Sequence, residues 1–223
     1  MALRWTLFDL NGTLLDPGGI ADPLGGGADE RRLVDAAFHE ALLLTMADTL
    51  SGAPYRPLPD YLRATLERGL RAAGRDTKDL DAAMERASAM DPFSTAAGAL
   101  DRLEDAGLAV GLLTNSAAAS AEQSLEAAGL RDRFQAVIAT DAVEVFKPHP
   151  RVYGYAVERL EARPEEICLV AAHGWDVMGA MRAGLRGAWV AHSERWLVPT
   201  LPDPDVRGED LEDAAAKIVC ELA

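Results

Sequence analysis

Short apolar runs with helical stretches between them constrain this fold more than any other feature of the chain. The runs lie at 5–9, 108–114, 136–140, 167–172 and 187–192, and stretches of helical pattern at 96–106, 117–128, 150–160 and 176–183 separate the later ones. Short strands that are apolar throughout need cover on both faces, and strands joined through helices run parallel. The rhythm breaks once. After Asp16-Pro17-Gly18-Gly19 and the triplet Gly25-Gly26-Gly27, the chain from 29 to about 89 reads as helix upon helix with no convincing strand, and Asp91-Pro92 closes it. The expected architecture is therefore α/β. A Rossmann-like core with a parallel sheet and helices on both faces comes from 1–16 and 92–223, and an all-helical cap is inserted at 17–91. The glycine triplet lacks the Lys-Ser/Thr of a phosphate-binding loop and reads as a hinge or loop. No repeat of fixed period is present. A Pro/Asp-rich loop at 198–205 and an amphipathic closing helix, DLEDAAAKIVCELA, end the chain.

With 223 residues, 49% of them apolar and 26% charged, the composition is that of a globular enzyme able to bury its core without staples. The formal net charge of -14 opposes binding to nucleic acid or an anionic membrane. It does not oppose a small anionic substrate, because one local cation outweighs the mean field at a site. Cys168 and Cys220 match neither a metal-ligand spacing nor a disulfide framework, and Cys168, within ICLVAA, reads as a buried small hydrophobe. The start is strand-like and no long apolar segment follows, so the expected location is the cytoplasm.

In an open α/β sheet, ligands collect beyond the carboxyl ends of the strands. The residues expected there are Asp9, Asn11 and Thr13 after the first run, Thr114-Asn115-Ser116 after the second, Phe146-Lys147-Pro148 after the third, and His173-Gly174-Trp175-Asp176 after the fourth. A single strand-end aspartate is usually a helix cap. Four such clusters place two carboxylates, an ammonium, hydroxyls and amides on one rim.

The segments FDLNGTLLD, LLTNS, FKP and WDVMGA resemble the four motifs of the haloacid dehalogenase superfamily, in order and over essentially the whole chain. FKPHPRVY and LVAAHGWDVMGAMRAG resemble the L-2-haloacid dehalogenases within it. The resemblance implies that Asp9 is a nucleophile forming an ester with substrate, that Lys147 supplies the facing positive charge, and that Thr13 and Thr114 orient the carboxylate. It implies that Asp176, with His173, positions or activates the hydrolytic water. Leu10, Asn11, Asn115 and Trp175 then line the substrate pocket, and Tyr153 bonds Lys147 or the substrate carboxylate. Relatives carry an arginine on the first cap helix; His39 aligns there, with Arg31, Arg32, Arg56 and Arg63 as other sources of that charge. Phosphatases of the superfamily use a second aspartate at position 11 as general acid. Asn11 cannot serve an alkoxide leaving group, whereas halide leaves without a proton. Ala171-Ala172 replace the Gly-Asp of magnesium-dependent members, so no cofactor is expected and a weak Mg²⁺ site at Asp9 and Asp176 stays open. The expected activity is hydrolytic cleavage of the carbon–halogen bond of a small 2-halo carboxylic acid, in a protein that by analogy forms a homodimer. The alternatives are a phosphohydrolase of the same fold or a catalytically weak binding protein.

Overall fold

The computed structural model describes residues 2–192 and 194–223. Strand β1 (Trp5–Phe8) leads into a short β2 (Leu15–Asp16), a 3-10 turn (Pro17–Leu24), and helices α1 (Ala28–Ser51), α2 (Leu58–Ala72) and α3 (Leu80–Ser88). After β3 (Asp91–Pro92) come α4 (Ala96–Asp105), β4 (Ala109–Thr114), α5 (Ala118–Ala127) and β5 (Ala136–Ala139). Then follow α6 (Pro150–Leu160), β6 (Ile167–Ala171), α7 (Gly174–Arg182), β7 (Arg186–Val190), β8 (Val206–Gly208) and α8 (Leu211–Glu221).

Among the described residues, six strands form one parallel sheet in the order β5-β4-β1-β6-β7-β8. The chain builds outward from β1 through β4 to β5, then crosses to β6 and builds outward on the other side. That reversal makes the carboxyl end of β1 the switch point of the sheet, where a crevice opens. Alternate side chains supply two cores. Phe8, Leu112 and Val170 pack into one face's cluster, and Leu7, Leu113 and Leu169 into that of the other, with Val152, Tyr153 and Ala156 of α6. Helices thus cover both faces of a parallel sheet, as the apolar runs require.

Three short strands depart from the sequence reading: the two-residue β2 and β3, and a third near the end of the chain. The stretch at 206–208 forms a strand, β8, in parallel pairing with β7. Three residues carry no readable alternation, and this strand exists because β7 offers it an edge.

Antiparallel pairing of Leu15 with Pro92 and Asp16 with Asp91 sets the entry and exit of the helical segment side by side. Within it, α1 buries Val34, Ala37, Phe38, Ala41, Leu42 and Thr45, the i, i+3, i+4 stripe of an amphipathic helix. The Thr65 hydroxyl of α2 donates to the Ala37 carbonyl at 2.9 Å and ties the two helices together. No helix among the described residues is long and apolar enough to cross a membrane.

Candidate active site

Asp9 leaves β1 at the switch point, its N–H still bonded to the Val170 carbonyl at 3.0 Å. The chain then turns sharply: the N–H groups of Thr13, Leu14 and Leu15 all return to the Leu10 carbonyl, and Gly12 adopts φ 81°. A side chain at position 12 would be strained and would meet the His173 ring at 3.1 Å. The turn brings the Thr13 hydroxyl back to donate to Asp9 Oδ2 at 2.8 Å, while its oxygen accepts the Ala172 N–H at 3.0 Å.

Lys147 reaches the same point from the loop before α6. Its Nζ donates to Asp9 Oδ1 at 2.9 Å, to Asp176 Oδ2 at 2.6 Å and to the Leu113 carbonyl at 2.8 Å. Those three bonds use every proton of the ammonium. Asp176, in the first turn of α7, receives the Tyr153 hydroxyl on Oδ1 at 2.6 Å. Lys147 and Asp176 are wholly buried and Asp9 is 5% exposed.

Burial opposes every charge here, and the pairing decides the outcome. Burial alone would raise Asp9, but the Lys147 charge, the neighbouring His173 and the bonds from Lys147 and Thr13 hold it below the ordinary carboxylate range. Burial would lower Lys147, yet its two carboxylate partners hold it above the usual lysine value. At Asp176 burial prevails, helped by repulsion from Asp9, and this carboxyl is pushed up. The site thus keeps Asp9 ionised beside a fixed cation and makes Asp176 the better proton acceptor.

The residues present do not suit a magnesium ion. The Lys147 ammonium fills the place between the two carboxylates, and all four of their oxygens already accept protein hydrogen bonds. No group of three or more His, Cys, Asp or Glu side chains is arranged to hold a metal among the described residues.

Above Asp9 lies a cavity of about 10 Å³, room for about one water. Asp9, Thr114 and Asn115 form its floor, Asn11, His173 and Trp175 a wall, and Phe38, Leu42 and Leu58 an apolar roof. Asn115 is locked by its Oδ1, which accepts the Lys147 N–H at 2.8 Å; its Nδ2 is buried with no partner among the described residues. His173 stacks on Trp175 with centroids 5.4 Å apart, and its Nε2 lies 3.2 Å from the Asn11 carbonyl. Behind it, Glu194 accepts the Gly174 N–H at 3.0 Å, with its other carboxylate oxygen 4.0 Å from His173 Nδ1. The Asn11 amide donates to the Ser116 hydroxyl at 3.2 Å.

Several expected site residues sit elsewhere. His39 is exposed, bonds its own helix at the Asp35 carbonyl, and faces an outer cleft of about 680 Å³. Phe38 and Leu42, one helical turn apart, look at Asp9 instead. Arg31 lines that outer cleft, Arg32 pairs with Asp29, Arg63 with Asp81, and Arg56 lies over the Tyr61 ring. Among the described residues, no arginine lines the Asp9 cavity. Leu10 is fully buried in the core and gives the cavity no side chain. Thr114 lines the cavity, but its hydroxyl oxygen accepts the Ser116 N–H at 3.1 Å and makes no bond to Asp9 among the described residues. Tyr153 is buried behind Asp176 rather than bonded to Lys147 or open to the cavity. Asp176 itself lies behind Lys147, outside the cavity wall.

The sequence reading missed the roof, because Phe38, Leu42 and Leu58 carry the same amphipathic signal as any core-facing residue. It also missed Phe146 as a clamp. The Phe146 ring stacks on Tyr55 at 5.0 Å and meets Tyr61 edge-on at 6.1 Å, while its N–H donates to the Thr49 hydroxyl of α1 at 3.1 Å.

A doubly wound parallel sheet, a helical cap over its switch point and a buried carboxylate–ammonium–carboxylate cluster define the class: a capped α/β enzyme. The chain matches the model of the haloacid dehalogenase-like hydrolases over residues 4–184 and belongs to that family. It is 32% identical to (S)-2-haloacid dehalogenase 1 of Pseudomonas sp. strain CBS-3, over 80% of each chain. It is also 32% identical to the (S)-2-haloacid dehalogenase of Xanthobacter autotrophicus, over 85% of this chain and 75% of that one. The solved structure of the L-2-haloacid dehalogenase from Xanthobacter autotrophicus with chloropropionic acid covalently bound superposes with a TM-score of 0.87 at 26% identity, covering 99% of this chain and 100% of that one.

Proposed function

We propose that this hydrolase cleaves the carbon–halogen bond of small 2-halo carboxylic acids without a metal ion, through an ester on Asp9. The observation that carries this reading is the Lys147 ammonium held between Asp9 and Asp176. An Asp9 carboxylate oxygen attacks the carbon bearing halogen, the new C–O bond forms as the carbon–halogen bond breaks, and halide departs with the bonding pair. No proton is needed, which suits an amide at position 11. The apolar roof keeps bulk water from the nucleophile, and the Asn115 Nδ2 is a free donor for the substrate. The present cavity admits about one water, so the cap must lift for substrate to enter.

Esterification removes the charge of Asp9 and leaves Asp176 as the one carboxylate facing Lys147. Water then attacks the ester carbonyl and its proton passes by way of the Lys147 ammonium to Asp176 behind it. As the acyl C–O bond breaks, that proton returns along the same path to the departing alkoxide oxygen, the 2-hydroxy acid leaves, and Asp9 gives up the second proton of the water to become a carboxylate again. His173, on the cavity wall, orients that water.

Halide release from L-2-chloropropionate, unaffected by a chelator and abolished in Asp9→Asn, is the expected result. Asp176→Asn is expected to accumulate protein heavier by one propionate unit, visible by mass spectrometry. Phosphate release from p-nitrophenyl phosphate that depends on Mg²⁺, with no halide from the haloacid, would overturn the reading.

A further inference from the structure

A second cavity, of about 100 Å³, lies between the cap and α5. It shares Asn11, Phe38 and Leu58 with the Asp9 cavity, so these three side chains stand between the two spaces. Beyond the shared residues its cap-side wall is mainly apolar, with Leu62, Met84 and Met90 beside Ser88. Its α5 wall is polar but uncharged, with Ser116 and Ser124 already bonded to the Asn11 amide and the Ser88 carbonyl, and Ser120 and Gln123 beside them. Methionine stems shape themselves to an irregular occupant. The outer cleft also borders the Asp9 cavity, across His173 and Phe38. That cleft carries Asp16, Asp22, Asp35 and Asp91, a poor lining for a hydrocarbon. An apolar cavity of about 150 Å³ accepts benzene, so about 100 Å³ takes roughly four carbon atoms.

We propose that this cavity seats the hydrocarbon tail of the substrate, and that the enzyme prefers acids whose reacting carbon bears a straight apolar chain of roughly four carbons. The proposal rests on Asp9 as the attacking group, since that places the reacting carbon at the shared wall. With the carboxylate and halogen held at the floor, the remaining substituent is directed between Phe38 and Leu58, which part as the cap lifts, toward the uncharged and mainly apolar space beyond. Substrate length is then selected by the cap and α5 together.

The test is equilibrium binding of unreactive straight-chain carboxylates, acetate to octanoate, to the full-length protein by calorimetry. Affinity is expected to rise about fourfold per methylene until the cavity is full, then level off. Ala87→Leu and Ser120→Leu narrow the cavity from opposite walls. Each is expected to flatten the series, with thermal melts showing that the variants remain folded. A Kd independent of chain length in the unmodified protein, or an unchanged slope in both folded variants, would overturn the proposal. Halide release is scored separately. Its absence beside a length-dependent Kd removes the dehalogenation reading and leaves the tail subsite standing, whereas release with a flat series removes the subsite alone.

Discussion

Lys147 is the residue on which the site's electrostatics turn. Its ammonium has no free proton, and its two partners are buried carboxylates that repel each other without it. Breaking a buried ion pair by removing one partner costs about 3–5 kcal/mol, because the survivor stays buried and uncompensated. Lys147→Met is therefore expected to lose stability of that order at pH 8. Without the cation, burial pushes both carboxyls upward with less to oppose it, so the folded state takes up protons more readily and the loss is expected to shrink toward pH 5. Urea unfolding at the two pH values measures the difference, and equal losses at both would show that the carboxylates are not what Lys147 compensates. Tyr153 works one step further back. Its bond to Asp176 lowers that carboxyl, partly offsetting burial. Tyr153→Phe is expected to push Asp176 higher and, under the proposed mechanism, to move the acid limb of the halide-release or ester-hydrolysis profile to higher pH. Gly179→Ala should act in the same direction, since a Cβ there overlaps the Tyr153 hydroxyl. A limb that stays in place in both variants would separate Tyr153 from the titration of Asp176.

At the scale of elements, the loop carrying Lys147 is braced against the cap. Phe146 lies among the rings of Tyr55 and Tyr61, and its N–H is held by Thr49 near the end of α1. One short segment therefore senses the cap through Phe146 and Asp9 through Lys147. Thr49→Val keeps the shape and removes the acceptor; a net loss of about 1 kcal/mol is expected, with Thr49→Ser retaining most of the stability. Unfolding midpoints of the two variants that coincide with the unmodified protein's would show that the bond contributes nothing. The same element, α1, explains why His39 does not face the pocket. Consecutive helical residues point about 100° apart, so Phe38 faces Asp9 while His39 faces the outer cleft.

Across the whole molecule, the buried cluster contributes to stability at both ends of the pH range. Asp9 is held below its unfolded value of 3.8, so its contribution is present above that pH and lost as pH falls through the folded value. Lys147 is held above 10.5, so its contribution is complete below that pH and lost as pH rises through the folded value. Asp176, pushed up by burial, runs against Asp9 and costs stability once pH exceeds its unfolded value. A thermal-unfolding series is expected to show an alkaline decline above about 10.5 that is absent in Lys147→Met. An alkaline decline of the same size in that variant would assign it to other groups.

Residue type and spacing along the chain were enough to reach the parallel sheet, the helical segment and the strand-end side chains Asp9, Thr13, Lys147 and Asp176. Each of those signals is local: a short apolar run demands burial on both faces, and a polar residue at its end has few places to go. What the chain alone left open were matters of rotation and direction. Which face of α1 looks at Asp9, that Tyr153 and Asp176 stand behind Lys147 rather than in the cavity, and that 206–208 joins the sheet all depend on partners distant in sequence. Packing of Phe146 among cap aromatics and pairing of β8 with β7 are long-range contacts, and a periodicity marks only that a side chain is buried, not against what.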